Sequence, residues 1–250
     1  MTLFYNRQEA GEKLAARLKE EQRRQEGQWE NILVLGIPRG GVEVAYPVAE
    51  ALRAPLDVVI ARKLGAPGNP ELAMGAVAPD GSYLLNESLA RQLRVKPEKI
   101  AELVKQETEE IKRRLRHYRG GRPFPELRGR TVIAVDDGLA TGYTMEAALR
   151  YLRSQGVKNL VMAIPVAPPE TLERLRPLVD HAECLLVPPL FYAVGQFYVS
   201  FGPTPEETVI KLLRKAGAGG AAESAAGAAA GADAEADAGT PEREKQGSRS

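Results

Sequence analysis

The chain has 250 residues, with 34 Lys plus Arg against 33 Asp plus Glu, a net charge of +1 and 44% hydrophobic content. That length suits one large domain or two small ones, and the apolar share is enough for an ordinary core. Near neutrality argues against nucleic-acid or membrane binding driven by bulk charge. The lone Cys184 excludes an internal disulfide, and two histidines, His117 and His181, speak against a histidine-rich metal centre.

In chain order, the N-terminal MTLFYNRQEAGEKLA lacks a basic stretch followed by an apolar run, so no secretory signal is predicted and a cytoplasmic location is expected. The runs NILVLGI (31–37), LDVVIA (56–61), TVIAVD (131–136) and NLVMAI (159–164) are apolar on both faces, as strands of a parallel sheet covered on both sides are. Residues 41–52 and 144–156 read as crossover helices, the second stopped by Gly156. The segment ARKLGAPGNPELAMGAV (61–77) is too rich in breakers for regular structure and is expected as a loop. Pro97 opens a charged helix with Ile100, Leu103, Val104, Ile111 and Leu115 along one stripe, and its other faces read as solvated. Shorter helices are predicted from Glu170 to Leu175 and from Glu206 to Arg214.

The stretch Cys184–Pro205 carries no charge, yet Pro188, Pro189, Pro203 and Pro205 would break a spanning helix. It reads as buried strands and an aromatic loop. From Ala216 to Thr240, 19 of 25 residues are Ala or Gly without one aromatic or branched aliphatic side chain, so 216–250 is expected to be a disordered tail. Six acids and three bases give that tail a charge of −3 and leave 1–215 at +4. The expected fold over 1–215 is α/β: an open, doubly wound, mainly parallel sheet, with ligands at the carboxyl ends of its strands.

The loop VIAVDDGLATGYTM (132–145) carries the most chemistry. An apolar strand ends in two adjacent carboxylates, Asp136 and Asp137, and Ala140, Thr141, Gly142, Tyr143 and Thr144 then open a helix. A helix N-terminus offers free N–H groups to an anion, threonines add hydroxyls, and Gly142 lets backbone approach a phosphate. The upstream carboxylates are acceptors suited to vicinal sugar hydroxyls, and phosphate plus diol suggests a ribose 5-phosphate. Capping alone would explain one Asp or one Thr but not the whole run. No P-loop pattern is present. The first-strand loop, GIPRGGVEVA (36–45), presents Arg39, Gly40 and Gly41 as a second anion site. Arg62 and Lys63 stand at the end of the second strand.

DDGLATGYTM resembles the signature of type I phosphoribosyltransferases, nearest to that of adenine phosphoribosyltransferases. The resemblance implies a fold with a small hood, formed here from 1–28 and 185–205, and transfer of ribose 5-phosphate from phosphoribosyl pyrophosphate to a nitrogenous acceptor, a nucleobase, with release of pyrophosphate. It implies that Asp136 and Asp137 hold the ribose, that 140–144 hold the 5-phosphate, and that Arg39, Gly40 and Gly41 meet the pyrophosphate. Arg62 and Lys63 would belong to a catalytic loop that closes over the reaction centre. The resemblance also implies Mg²⁺ held mainly through substrate, with no metal site of the protein's own, and a homodimer without nucleic-acid or membrane partners. Ala140 stands where hypoxanthine–guanine enzymes carry an acid for the purine proton, and Gly138 replaces an apolar residue without expected consequence. Phe197 or Tyr198, in the aromatic run 191–201, is expected to stack on the acceptor. A relative that keeps the pocket only to sense phosphoribosyl pyrophosphate is the alternative; the intact 61–77 segment favours the enzyme.

Overall fold

A computed structural model describes residues 3–25 and 27–217. Its elements run α1 (Arg7–Arg24), β1 (Leu33–Gly36), α2 (Gly40–Leu52), β2 (Leu56–Val58), β3 (Arg62–Ala66), β4 (Asn69–Val77), β5 (Tyr83–Leu85), α3 (Glu87–Gln92) and α4 (Pro97–Arg119). They continue with β6 (Thr131–Val135), α5 (Tyr143–Ser154), β7 (Asn159–Val166), α6 (Pro169–Leu175), β8 (His181–Leu186) and a last helix, α7, over 206–217. Residues 216 and 217, expected in the tail, complete α7; the rest of that expected tail lies outside the described residues.

The main sheet has the order β2-β1-β6-β7-β8 with every neighbouring pair parallel. Alternate side chains of its strands face two different cores. Val34, Ile133, Val135 and Val161 pack with Leu14 and Leu18 of α1, Val48 of α2, Ile111 of α4 and Val209 of α7. Leu35, Val132, Ala134 and Met162 pack on the other face with Met145 and Leu149 of α5 and Leu172 of α6. Burial on both faces is the physical reason these strands read as unbroken apolar runs, and it makes the fold the doubly wound α/β sheet expected.

Residues 61–77 depart from the expected irregular loop. They form the antiparallel pair β3–β4, and β5 extends it to a separate three-stranded sheet. The breakers serve the hairpin. Gly68 takes φ +80° in the turn, and the register shifts at Gly65, where a Cβ would lie 2.7 Å from the Pro70 carbonyl oxygen. A glycine there lets the two backbones close at the bulge.

The N-terminal residues expected in the hood form α1, capped by the Asn6 side chain, which accepts from Glu9 N–H at 2.9 Å. The helix lies so close to α2 that a Cβ on Gly11 would meet the Val44 carbonyl oxygen at 2.5 Å. The residues before it pair with the 194–200 segment: Phe4 N–H donates to the Phe197 carbonyl, and Val199 and Ser200 N–H donate back to Phe4 and Tyr5, each at 2.8 Å; Ala10 of α1 packs on Phe197 and Tyr198. No helix among the described residues is long and apolar enough to cross a membrane.

Candidate active site

The loops after β1 and β6 meet at adjacent strand ends. Pro38 and Arg39 are joined by a cis peptide, and Gly40 and Gly41 begin α2. A Cβ on Gly40 would stand 1.9 Å from Asp137 Oδ2, and one on Gly41 would stand 2.8 Å from both Asp136 Cα and the Val135 carbonyl oxygen. The two glycines are therefore needed for contact between the α2 N-terminus and the acid pair, beyond any role toward a ligand.

Asp136 and Asp137 are half-buried and packed around by protein. The Asp137 N–H donates to Asp136 Oδ1 at 2.8 Å. Burial pushes the Asp136 carboxyl well above the usual range, and the neighbouring Asp137 charge adds to that. Asp137 is also raised by burial, but Arg7 pulls it back through a 2.7 Å bond from its Nε to Oδ2. Of the two, Asp137 ionises more readily. Arg7 was not singled out in the sequence; 130 positions separate it from its partner.

Beyond the acids, Gly138 takes φ +152°, and a Cβ there would meet Val194 Cγ1 at 2.6 Å and Val166 Cγ1 at 2.9 Å. Its glycine is a packing requirement, contrary to the expectation of no consequence. Leu139 N–H is fixed on the Val166 carbonyl at 2.9 Å. Gly142, at φ +73°, sits as the N-cap of α5. Glu146 N–H is the first to bond within that turn, to the Gly142 carbonyl at 2.8 Å, so the N–H groups of Tyr143 to Met145 have no helical partner. Two residues of α6, also absent from the sequence reading, hold the outer side of this loop. Thr171 Oγ1 donates to the Ala140 carbonyl at 2.7 Å, and Arg174 donates to the Thr141 carbonyl and to Glu146.

Clefts open on both sides of the loop. One, of about 670 Å³, is lined by Pro38, Thr144, Arg62 and Lys63 together with Lys99 and Arg114 of α4. The sequence reading left α4 solvated, yet Lys99, Leu103 and Glu107 follow at one-turn spacing and Arg114 two turns on, which was signal enough to place them on one face. Arg62 is held by Glu107, with Glu110 at 4.0 Å. The other cleft, of about 510 Å³, is lined by Ala140, Thr141, Tyr143, Glu170, Arg174, Phe191 and Tyr192. Arg39 is exposed beside the first loop.

Phe197 and Tyr198 do not offer ring faces to an acceptor. They are 1% and 6% exposed and pack with Phe4, Ala10 and Val166, because the short turn 194–197 folds them back under the sheet end. Tyr198 instead donates its hydroxyl to the Asp137 carbonyl at 2.6 Å. The exposed aromatic of this segment is Tyr192, 84% accessible.

The remaining candidates stand apart. His181 begins β8, at the far end of the sheet, between Glu21 and Glu183 at 3.7 Å each. Cys184 lies in β8, where burial pushes its thiol up to about 11, well out of the reactive range. Among the described residues no three His, Cys, Asp or Glu side chains converge to hold a metal ion.

Comparison with known proteins bears on the family and the fold. Over 216 residues the chain is 40% identical to a Mycobacterium tuberculosis protein named as a phosphoribosyl transferase; the match spans 86% of this chain and 47% of that one. The chain thus spans about half the length of the curated relatives it matches. A 63-residue stretch is 40% identical to a uracil phosphoribosyltransferase of Kineococcus radiotolerans, covering 25% of this chain and 30% of that protein. The crystal structure of TT1426 from Thermus thermophilus superimposes with a TM-score of 0.69 at 41% identity, over 85% of this chain and 98% of that one. The model of the phosphoribosyl transferase domain matches residues 4–199, and the chain belongs to that family.

Proposed function

We propose that this protein transfers ribose 5-phosphate from phosphoribosyl pyrophosphate to a nitrogenous acceptor. The observation that carries the reading is the arrangement around one strand end: an acid pair and a free helix N-terminus, with a cationic cleft on one side and an aromatic cleft on the other. In this reading the N–H groups and hydroxyls of 140–144 take the 5-phosphate, and Asp136 and Asp137 accept from the ribose hydroxyls. Arg39, Gly40, Gly41, Arg62 and Lys63 meet the pyrophosphate, with Lys99 and Arg114 behind them. The C1–oxygen bond to pyrophosphate breaks as the acceptor nitrogen bonds C1, and the acceptor's proton is then lost. Carboxylates beside the sugar favour its developing positive charge, and the cations favour the leaving group. Mg²⁺ would ride on the phosphates and water, since the described residues offer no cage of their own. The acceptor would enter the 510 Å³ cleft against Tyr192, taking over the role that the sequence reading gave to Phe197 and Tyr198.

Titration with phosphoribosyl pyrophosphate and Mg²⁺ is expected to give saturable binding that collapses when both Asp136 and Asp137 are changed to alanine. Unchanged affinity would overturn the site. A panel of purines, pyrimidines and small amines, read by pyrophosphate release, then finds the acceptor. Tight binding without turnover across that panel would mean a sensor rather than an enzyme.

A further inference from the structure

Arg7 is a buried charge to which the transfer reading gives no task. It opens α1, with its side chain 10% exposed. Besides the bond to Asp137, Nη1 donates to the Gly202 carbonyl at 2.7 Å and lies 3.8 Å from Glu43 of α2. Its guanidinium covers the Phe201 ring, 3.9 Å from the centroid, and that ring stacks on Tyr198 at 4.8 Å. Tyr198 in turn holds the Asp137 carbonyl. Asp137 is thus gripped at both ends, its carboxylate by Arg7 and its backbone by Tyr198, and the two gripping residues pack on the same phenylalanine.

A planar guanidinium that bonds a carboxylate, a carbonyl and a ring face at once restricts orientation more than a point charge does. The contact falls on one of the two acids that the proposed function assigns to the ribose. Arg7 lines neither the cationic nor the aromatic cleft, and its polar contacts among the described residues are Asp137, Gly202 and Glu43.

We infer that Arg7 is a positioning residue for the sugar site: it commits one oxygen of Asp137, fixes that carboxylate against Gly40, and ties the 197–202 segment to it. The inference rests on the phosphoribosyl pyrophosphate reading above. Arg7 acts through Asp137, so its removal must matter only while Asp137 is there to be positioned.

The test is a double-mutant cycle on the full chain, reading the Kd for phosphoribosyl pyrophosphate with Mg²⁺ beside a thermal melt of each variant. Arg7→Met is expected to weaken binding about tenfold or more, and Arg7→Lys, which keeps the charge but not the fork, to recover only a small part of that loss. In an Asp137→Asn background, Arg7→Met is expected to cost less than about twofold. Should Arg7→Met fail to fold, Arg7→Lys carries the same comparison, its deficit vanishing in the Asp137→Asn background. Equal losses in both backgrounds, or wild-type affinity in Arg7→Met, would overturn the inference. Failure of the unaltered protein to bind would instead overturn the reading beneath it.

Discussion

Asp136 is held in a setting that disfavours its charge, a cost that stability and binding measurements can read. A carboxyl with a raised native pKa binds its proton more tightly in the folded than in the unfolded chain. It therefore withdraws stability as pH rises above its unfolded value, near 3.9, toward its folded one. Asp136→Asn removes that burden. Thermal melts between pH 5 and 8 are expected to show the variant gaining on the parent as pH rises, while its affinity for phosphoribosyl pyrophosphate falls about 10- to 100-fold through loss of an acceptor. A constant difference across that range would contradict the assignment. At this scale the acids and the Thr141–Thr144 run were legible because they are consecutive, and local spacing on a strand–helix turn fixes what they face. Arg7 was not legible, because only the folded chain sets it beside Asp137. The Phe197 and Tyr198 expectation failed for a related reason: aromatic composition does not say which rings the turn at 194–197 folds inward.

Among the elements, α4 and the β3–β4 hairpin define the cationic cleft, and Glu107 links them by holding Arg62. A carboxylate in that position competes with any phosphate for the same guanidinium. Glu107→Gln is accordingly expected to tighten phosphoribosyl pyrophosphate binding a few-fold, and Arg62→Ala to lower turnover more than binding. Weaker binding in the glutamine variant would mean that the pair braces the hairpin rather than restrains Arg62. Glu110 has its own partners: bonds from Arg113 and Arg114 hold its carboxyl down to about 2, so it stays charged beside Arg62 through the working pH range. The hairpin was hidden in the sequence because Gly65, Gly68 and Pro70 are breakers in isolation, whereas in the fold Gly68 makes the turn and Gly65 and Pro70 are strand residues at a bulge. The four parallel strands that were predicted, by contrast, are apolar enough on both faces to declare themselves; the strand expected from Cys184 onward is β8, which begins three residues earlier at His181 and ends at Leu186, half-buried along its length.

For the molecule as a whole, two cores flank one sheet, and all the residues proposed to meet a ligand lie between Arg39 and Tyr192, within the described part of the chain. A chain ending at Gly217 is expected to keep the parent's melting temperature and its affinity for phosphoribosyl pyrophosphate within about twofold. A larger loss in either measurement would give residues 218–250 a part in the fold or the site. In the curated relatives the matched region makes up 47% of a longer chain.

The junction of Gly40, Asp137 and Arg7 has a kinetic consequence. Its members come from three distant stretches of sequence, so the site cannot assemble in any local fragment during folding; the loops that separate them must all be closed first. The proposed sugar pocket therefore forms only once these distant stretches have come together. A ligand that needs this junction recognises only the finished protein, and occupancy by such a ligand at a hundred times its Kd would add about 2.7 kcal/mol to the free energy of unfolding. Under the proposed function, the supply of the sugar phosphate would then set how long the protein lasts as well as how fast it works.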